Sequence, residues 1–398
     1  MNPASIQISE GEYRSRGEQL LEHLKDNQLS GVVLFDRDYI LYFTGFAFIP
    51  TERPIAFIMD RSGKKVLFVP RLEREHASAN ALVDQVVDYT EYPYQHHPMQ
   101  RLKELLLKLQ ISDRYAADQD GYPWIFGYRG PSLSGLIVGK RFPIAGFIED
   151  QMAIKSPAEL RLIAESVKWG HLAHVLLQRY TRPGANETEV SLRASHEATL
   201  TMLDAIGPLY RAQSVFSSGA EAGYRGQIGR NAAIPHALAS HITFQAGDIL
   251  VSGASAPVWG YNSELERTMV VGPASDEQKR FFDHMLALQN TAFKALEPGK
   301  SCADVDREVR QYYEKHDLMQ YWKHHVGHAI GLRYHEGPFL DLGDNTILKP
   351  GMVFTIEPGL YVPGLGGFRH SDTVVITEGG IDLLTYYPRH LESLTIPL

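Results

Sequence analysis

Residues 259–272 read WGYNSELERTMVVG, a stretch that places three charged side chains inside an apolar run. If the stretch is extended, Glu264 and Glu266 are two residues apart and point to the same face. A carboxylate on an inward face is costly unless it is paired or put to use. Three further segments repeat this combination of polar groups in apolar surroundings. NAAIPHALAS (231–240) carries His236, and HHVGHAIGLRYHEGP (324–338) carries His325, His328, His335 and Glu336. VFTIEPGLYVPGLGGFRHSDTVVI (353–376) carries Glu357, Arg369, His370 and Ser371, with Glu357 closing an apolar strand just before Pro358-Gly359. Taken singly, each residue is an ordinary surface charge, ion pair or core histidine. Four such segments together mark a site.

Around these segments the pattern is helix pair, strands, helix pair, strands. Ser156, Pro157 and Glu159 spell a capping box with proline in the first helical position. Leu160, Ile163, Ala164 and Val167 then share one helical face. Further helices are expected over Glu187–Leu203, Asp276–Leu296 and Ala303–His316. Strands are expected at Ile249–Val251, Thr268–Val271, Val353–Ile356 and Thr373–Ile376. The order suggests an internal structural duplication without a sequence repeat. Upstream, the spacing of Leu20, Leu21 and Leu24 predicts a helix within residues 11–30, with strands at Gly31–Phe35 and around Tyr39–Phe43. A strand pair at 55–59 and 65–69 is joined by the turn Asp60–Gly63, and a short helix covers Leu102–Leu109. The chain therefore divides into a mixed α/β domain of about six short elements, residues 1–154, and a second α/β (α+β) domain, residues 155–398.

The whole chain has 398 residues, 44% of them hydrophobic and 22% charged, as expected of a globular enzyme. Against 39 Lys+Arg stand 47 Asp+Glu, a net charge of −8 that disfavours a nucleic-acid partner. The lone cysteine, Cys302, excludes an intrachain disulfide and a cysteine-rich metal site, and fits a cytoplasmic protein. The first twenty residues are polar, so no secretory leader is expected. Apolar runs such as IAFIM (55–59) are far shorter than the roughly 18 residues that span a bilayer, so no membrane partner is expected.

The segments GDILV, GYNSELERTMVVG, GHAIGLRYHEGP, TIEPGLY and FRHSDTVVIT resemble, in order and spacing, the signatures of the creatinase/prolidase (pita-bread) superfamily. The first domain, including LYFTGF, resembles that superfamily's smaller N-terminal domain. The resemblance implies a creatinase-like N-terminal domain followed by a pita-bread catalytic domain. Metallopeptidases of this superfamily hold two divalent metals with two Asp, one His and two Glu. Carried over by position, those ligands become Gly253, Glu264, His328, Glu357 and Ser371. Two carboxylates are missing, and without bridging carboxylates a pair of dications should not assemble. The sequence LERT, with Glu266 in place of a threonine, is shared with creatinase, which works without metal. The expectation is therefore no metal and no cofactor, with a single weakly held metal on Glu264, His328 and Glu357 as the alternative.

The resemblance also implies roles. Glu266 is expected as nucleophile or as the carboxylate that orients the attacking water, and His236 as general acid/base. His328 and His335 would hydrogen-bond the substrate or intermediate, and Glu264 and Glu357 would stabilise a cationic group. Arg53 falls where creatinase binds a substrate carboxylate across a homodimer, and Arg369 is a further substrate-binding candidate. At least three converging carboxylates should make the pocket strongly negative. Such a pocket suits a small zwitterion bearing an amidinium or guanidinium group. Of the two known reactions of that kind, Glu264, the His335-Glu336 pair and FRHSD look more like the branch that opens the cyclic amidine of ectoine. A creatinase-like amidinohydrolase and a Xaa-Pro metallopeptidase with a degenerate metal site are the alternatives, and a non-catalytic binding module is a third class.

Overall fold

The computed structural model describes residues 6–398, so the first five residues of the polar opening segment lie outside the described residues. The chain forms two compact units, Ile8–Gln151 and a second comprising Met152–Leu398 with Ile6 and Gln7.

The smaller unit is a six-stranded sheet in the order β4-β3-β2-β1-β5-β6, with β1 (Gly31–Leu34), β2 (Ala56–Asp60), β3 (Lys65–Pro70), β4 (Gln85–Tyr89), β5 (Asp113–Ala117) and β6 (Gly139–Pro143). The expected β2–β3 hairpin is present. Around the sheet run α1 (Glu10–Asp26), α2 (Arg37–Thr44), α3 (Arg74–Asn80), α4 (Pro98–Lys108), α5 (Leu133–Leu136) and α6 (Ala145–Ala153), so the unit holds about twice the elements expected. The expected strand at Tyr39–Phe43 is a correction: the segment is helix α2. An apolar run of this length is compatible with either state, and its ends decide. The Asp36 carboxylate accepts from the N–H groups of Asp38 and Tyr39, and Gly45 closes the helix in the left-handed conformation.

The larger unit carries a sheet whose main path is β11-β10-β12-β15-β9-β8-β7. Its strands are β7 (Glu221–Gly223), β8 (Ile249–Ser255), β9 (Leu265–Val271), β10 (His328–Ala329), β11 (Glu336–Phe339) and β12 (Val353–Ile356). The hairpin β13 (Gly359–Val362) and β14 (Gly366–Arg369) stands apart, while β15 (Ser371–Thr377), β16 (Gly380–Leu383) and β17 (Thr395–Ile396) complete the count. Helices α7 (Pro157–Tyr180), α8 (Glu187–Ile206), α9 (Asp276–Ala295) and α10 (Cys302–Lys315) occupy the segments where periodicity places them. The Ser156/Glu159 capping box starts α7, and equivalent boxes start α9 and α10. Among the described residues, no helix is long and apolar enough to cross a membrane.

The register of the central strands positions everything that follows. Glu266 on β9 faces Gly253 on β8 and Ser371 on β15, so the three form one row across the sheet. Ser252 pairs with Arg267, and Asp372 with Leu265, on the opposite face. Helices α7 and α9 cover that opposite face: His174 of α7 reaches the Ser252 hydroxyl at 2.7 Å, and Gln289 of α9 reaches Asp372 at 2.9 Å.

Candidate active site

Alternation sorts the polar residues of the four segments onto the two faces. Glu264, Glu266, Arg369, Ser371, His328 and Glu357 gather on the open face, all of them buried. Arg267, His370 and Asp372 turn to the helix-covered face. The candidate His328 reaches the cluster because its segment runs against β12. A Cβ at Gly327 would lie 1.9 Å from the Thr355 carbonyl oxygen, so only glycine permits the approach.

Within the cluster, Glu264, His328 and Glu357 each aim one donor atom into a common space, all within 4.8 Å of one another. His328 donates from Nδ1 to the Ala329 carbonyl (2.9 Å), which leaves Nε2 facing inward. That Nε2 lies 3.3 Å from Glu357 Oε1 but finds no aligned hydrogen-bond partner, so the contact is an ion pair rather than a directed bond. Burial opposes charge on His328, yet the Glu357 and Glu264 carboxylates outweigh it and raise its pKa to about 9. Burial also acts against ionised Glu357, but His328 and Arg369 hold it well below the usual carboxylate range. Glu264 goes the other way. Burial, then the charges of Glu357 and Glu266, push it up to about 8, even though the Ser371 hydroxyl donates to it at 2.6 Å. The three shifts are consistent with one another: Glu264 is pushed toward its neutral form, while Glu357 and His328 favour their charged forms.

Glu266 is clamped from two sides. The Arg369 guanidinium forks onto both its oxygens, with Nη2 at 2.7 Å from Oε1 and Nε on Oε2, and Arg225 Nη2 adds a third contact at 3.0 Å. Arg369 Nη1 in turn donates to the Tyr361 hydroxyl (2.8 Å), whose other neighbour is His324 Nε2 at 2.7 Å. Two expectations are corrected here. The pocket is not strongly negative, because Arg369, Arg225 and His328 counter its carboxylates. Arg369 also binds protein rather than presenting a free fork to substrate.

His335 stacks on His328 with ring centroids 3.9 Å apart, and burial with the charge of His328 lowers its pKa to about 4. His236 is exposed on the loop after residues 229–233, and no hydrogen bond joins it to the cluster among the described residues. Glu336 is the partner of buried Lys155 at 2.7 Å, a structural pair. Arg53 lies in the smaller unit, where Glu91 and Glu52 engage its guanidinium. Arg225, Tyr361 and His324 were not singled out in the sequence as site residues. Arg225 lies in the turn Tyr224–Gly226, and no motif marks it; Tyr361 stands inside TIEPGLY, where only the apolar run drew attention.

The donor set can be tested against a metal centre. Gly253 offers no side chain, and Ser371 offers a neutral hydroxyl already turned to Glu264. Two ions do not fit. One ion fits the three donors of Glu264, His328 and Glu357, with His328 Nε2 buried and unsatisfied toward it.

Comparisons with known proteins agree with the architecture. The model of metallopeptidase family M24 matches residues 161–378, and that of the creatinase/prolidase N-terminal domain matches residues 16–127. A Xaa-Pro dipeptidase of Pyrococcus furiosus is 28% identical over 380 residues, covering 95% of this chain and 99% of its own. The solved structure of a prolidase from Pyrococcus furiosus superposes with a TM-score of 0.75 at 26% identity, covering 92% and 99% of the two chains. That of dipeptidase PepE from Mycobacterium ulcerans gives 0.81 at 25% identity, covering 98% and 100%.

Proposed function

We propose, for a chain that belongs to metallopeptidase family M24 and carries a creatinase/prolidase N-terminal domain, hydrolysis of a C–N bond whose carbon is already cationic, as in the cyclic amidine of ectoine. One observation carries this reading. The row Gly253–Glu266–Ser371 lacks two of the carboxylates that a metal pair requires, and Ser371 instead supports a neutral Glu264. A peptide carbonyl needs strong electrophilic help, whereas an amidinium carbon brings its own charge.

The pair Glu264 and Glu357, pushed to opposite protonation states, supplies acid and base from two carboxyl groups. Ionised Glu357 takes a proton from water as the oxygen bonds to the amidinium carbon. The ring C–N bond then breaks as the leaving nitrogen takes a proton from His328 or Glu264. The added hydroxyl gives up its proton on becoming the amide carbonyl, and this proton and the one held by Glu357 restore the acid and complete the product ammonium. The product is an N-acetyl-2,4-diaminobutyrate. Glu266, with both oxygens engaged, orients the site rather than attacking. The reading carries with it a cytoplasmic homodimer acting on a small zwitterion, which light scattering of the purified protein checks.

A second reading is favoured by a specific finding, the Xaa-Pro dipeptidase and prolidase names of the relatives. In it, Glu264, His328 and Glu357 would hold a single divalent ion, which would supply Lewis-acid help to a peptide carbonyl. Chelator-stripped protein incubated in parallel with ectoine, creatine and a Xaa-Pro dipeptide separates the readings. Ring opening of ectoine without metal supports the first. Dipeptide cleavage that returns only with added manganese or cobalt replaces it with the second.

A further inference from the structure

Gly253 is not a glycine that the backbone demands. A Cβ there would meet nothing closer than Glu266 Oε1 at 3.5 Å, an ordinary contact, and the residue does not adopt the left-handed conformation. What its missing side chain leaves is room. A cavity of about 440 Å³ opens beside Glu266, bounded by Gly253, Arg225, Tyr334, Ser191 and Glu221. That volume is within the range of small-molecule sites, roughly 300–1,000 Å³.

Arg225 is the single cation in the cavity's lining. Its Nη2 touches Glu266 and, at 3.4 Å, Gln227; its Nε and Nη1 have no acceptor among the described residues. The side chain is 55% exposed and lines the cavity. Its backbone is held in place: Arg225 itself has φ +51, Tyr224 before it is fully buried, and the Gly226 N–H after it donates to Glu187 at 2.8 Å. With Nη2 shared between Glu266 and Gln227, Arg225 keeps its Nε–H and Nη1–H for a ligand, and each can give a carboxylate one charge-assisted hydrogen bond. Glu221 also lines the cavity, and its carboxylate disfavours a second negative charge on a ligand.

We propose that this chamber receives the carboxylate end of the substrate, with Arg225 as the specificity-determining residue that anchors it. The proposal deepens the amidine reading and rests on it for the identity of the other end. A zwitterion then bridges the site, its cationic carbon at Glu357 and its carboxylate at Arg225. The anchor comes from the same unit as the reacting groups, in contrast to Arg53, whose guanidinium is engaged by Glu52 and Glu91.

Calorimetry on the full, metal-stripped chain tests this with three probes: ectoine, the same cyclic amidine without its carboxylate (2-methyl-1,4,5,6-tetrahydropyrimidine), and the dipeptide Ala-Pro. Ectoine should bind about 10- to 100-fold more tightly than its decarboxylated analogue, the range expected for a charged hydrogen-bonded contact. Arg225→Gln should erase that preference, and Arg225→Lys should keep part of it. Gly253→Leu, which projects a side chain into the chamber beside Glu266, should weaken it as well. A preference that survives both Arg225→Gln and Gly253→Leu overturns the proposal, as does a wild-type chain that binds none of the three probes. If the wild type binds Ala-Pro but neither amidine, and Arg225→Gln weakens that binding at least tenfold, the anchor stands and the amidine reading falls. Ala-Pro binding indifferent to Arg225→Gln overturns the anchor.

Discussion

The two faces of the β9–β15 ladder carry charged residues at alternate positions of the same strands, yet they do opposite things. On the helix-covered face, Arg267 meets Asp372 at 2.7 Å with both side chains fully buried. Most further contacts there close a gap, with His174 Nδ1 a buried atom left without a hydrogen-bond partner among the described residues. The Arg267 guanidinium also donates to the carbonyls of Pro388, Tyr387 and Ser371, and Asp372 accepts from Thr385 and Gln289. His370 accepts from the Thr268 N–H and faces the Arg389 carbonyl, and burial keeps it neutral. On the open face, one residue away along each strand, the groups are buried but not closed. His328 Nε2 lacks a partner, Glu264 sits with an unfavourable charge balance, and a cavity adjoins Glu266. A satisfied network fixes the sheet, and an unsatisfied one leaves work for a ligand.

The sharpest way to break this comparison is on the sealed face. Asp372→Ala leaves Arg267 charged and unpaired, and should cost about 3–5 kcal/mol of unfolding free energy by urea titration. A loss under about 1 kcal/mol would mean the pair is not structural. Next comes Glu264→Gln, which removes a titrating group and keeps the shape. Glu264 in the folded chain binds its proton up to about pH 8, against an unfolded value of 4.5. Its stabilising contribution is therefore present below pH 4.5 and lost as pH rises through 8. The variant should match the wild type near pH 4.5 and exceed it above pH 8, by an amount on the order of a few kcal/mol. Parallel stability curves would show that Glu264 is ionised throughout.

Glu266→Gln weakens the Arg369 clamp and should lower turnover about 100-fold, followed by chromatography of the product. Near-normal turnover would remove Glu266 from the reaction. The smallest effect is expected from His335→Ala, which takes away only the ring stacked on His328. Loss of that contact should cost about 0.5–1.5 kcal/mol. A rate loss of several hundredfold would instead promote His335 to a catalytic residue.

Much of the site was legible because it rests on local pattern. The i, i+2 spacing of Glu264 and Glu266 placed both on one face, and the lost ligands at Gly253 and Ser371 stood out position by position. The pocket's charge was not legible. That Arg369 would turn onto Glu266, and Arg225 join it, depends on side chains 103 and 41 residues apart in sequence. Helix α2 was missed for a similar reason. Its run of aromatic and β-branched residues has a strand's composition, and only the capping by Asp36 and Gly45 decides against it.

By itself the sequence determined which residues share a face, where the long helices begin, and which carboxylates are absent, because these follow from period, cap chemistry and residue identity. Tertiary structure alone decided which carboxyl is neutral, which arginine is already bound, and where open space remains. Those properties arise from burial and from distances of about 3 Å between segments far apart in the chain, and no local pattern encodes them.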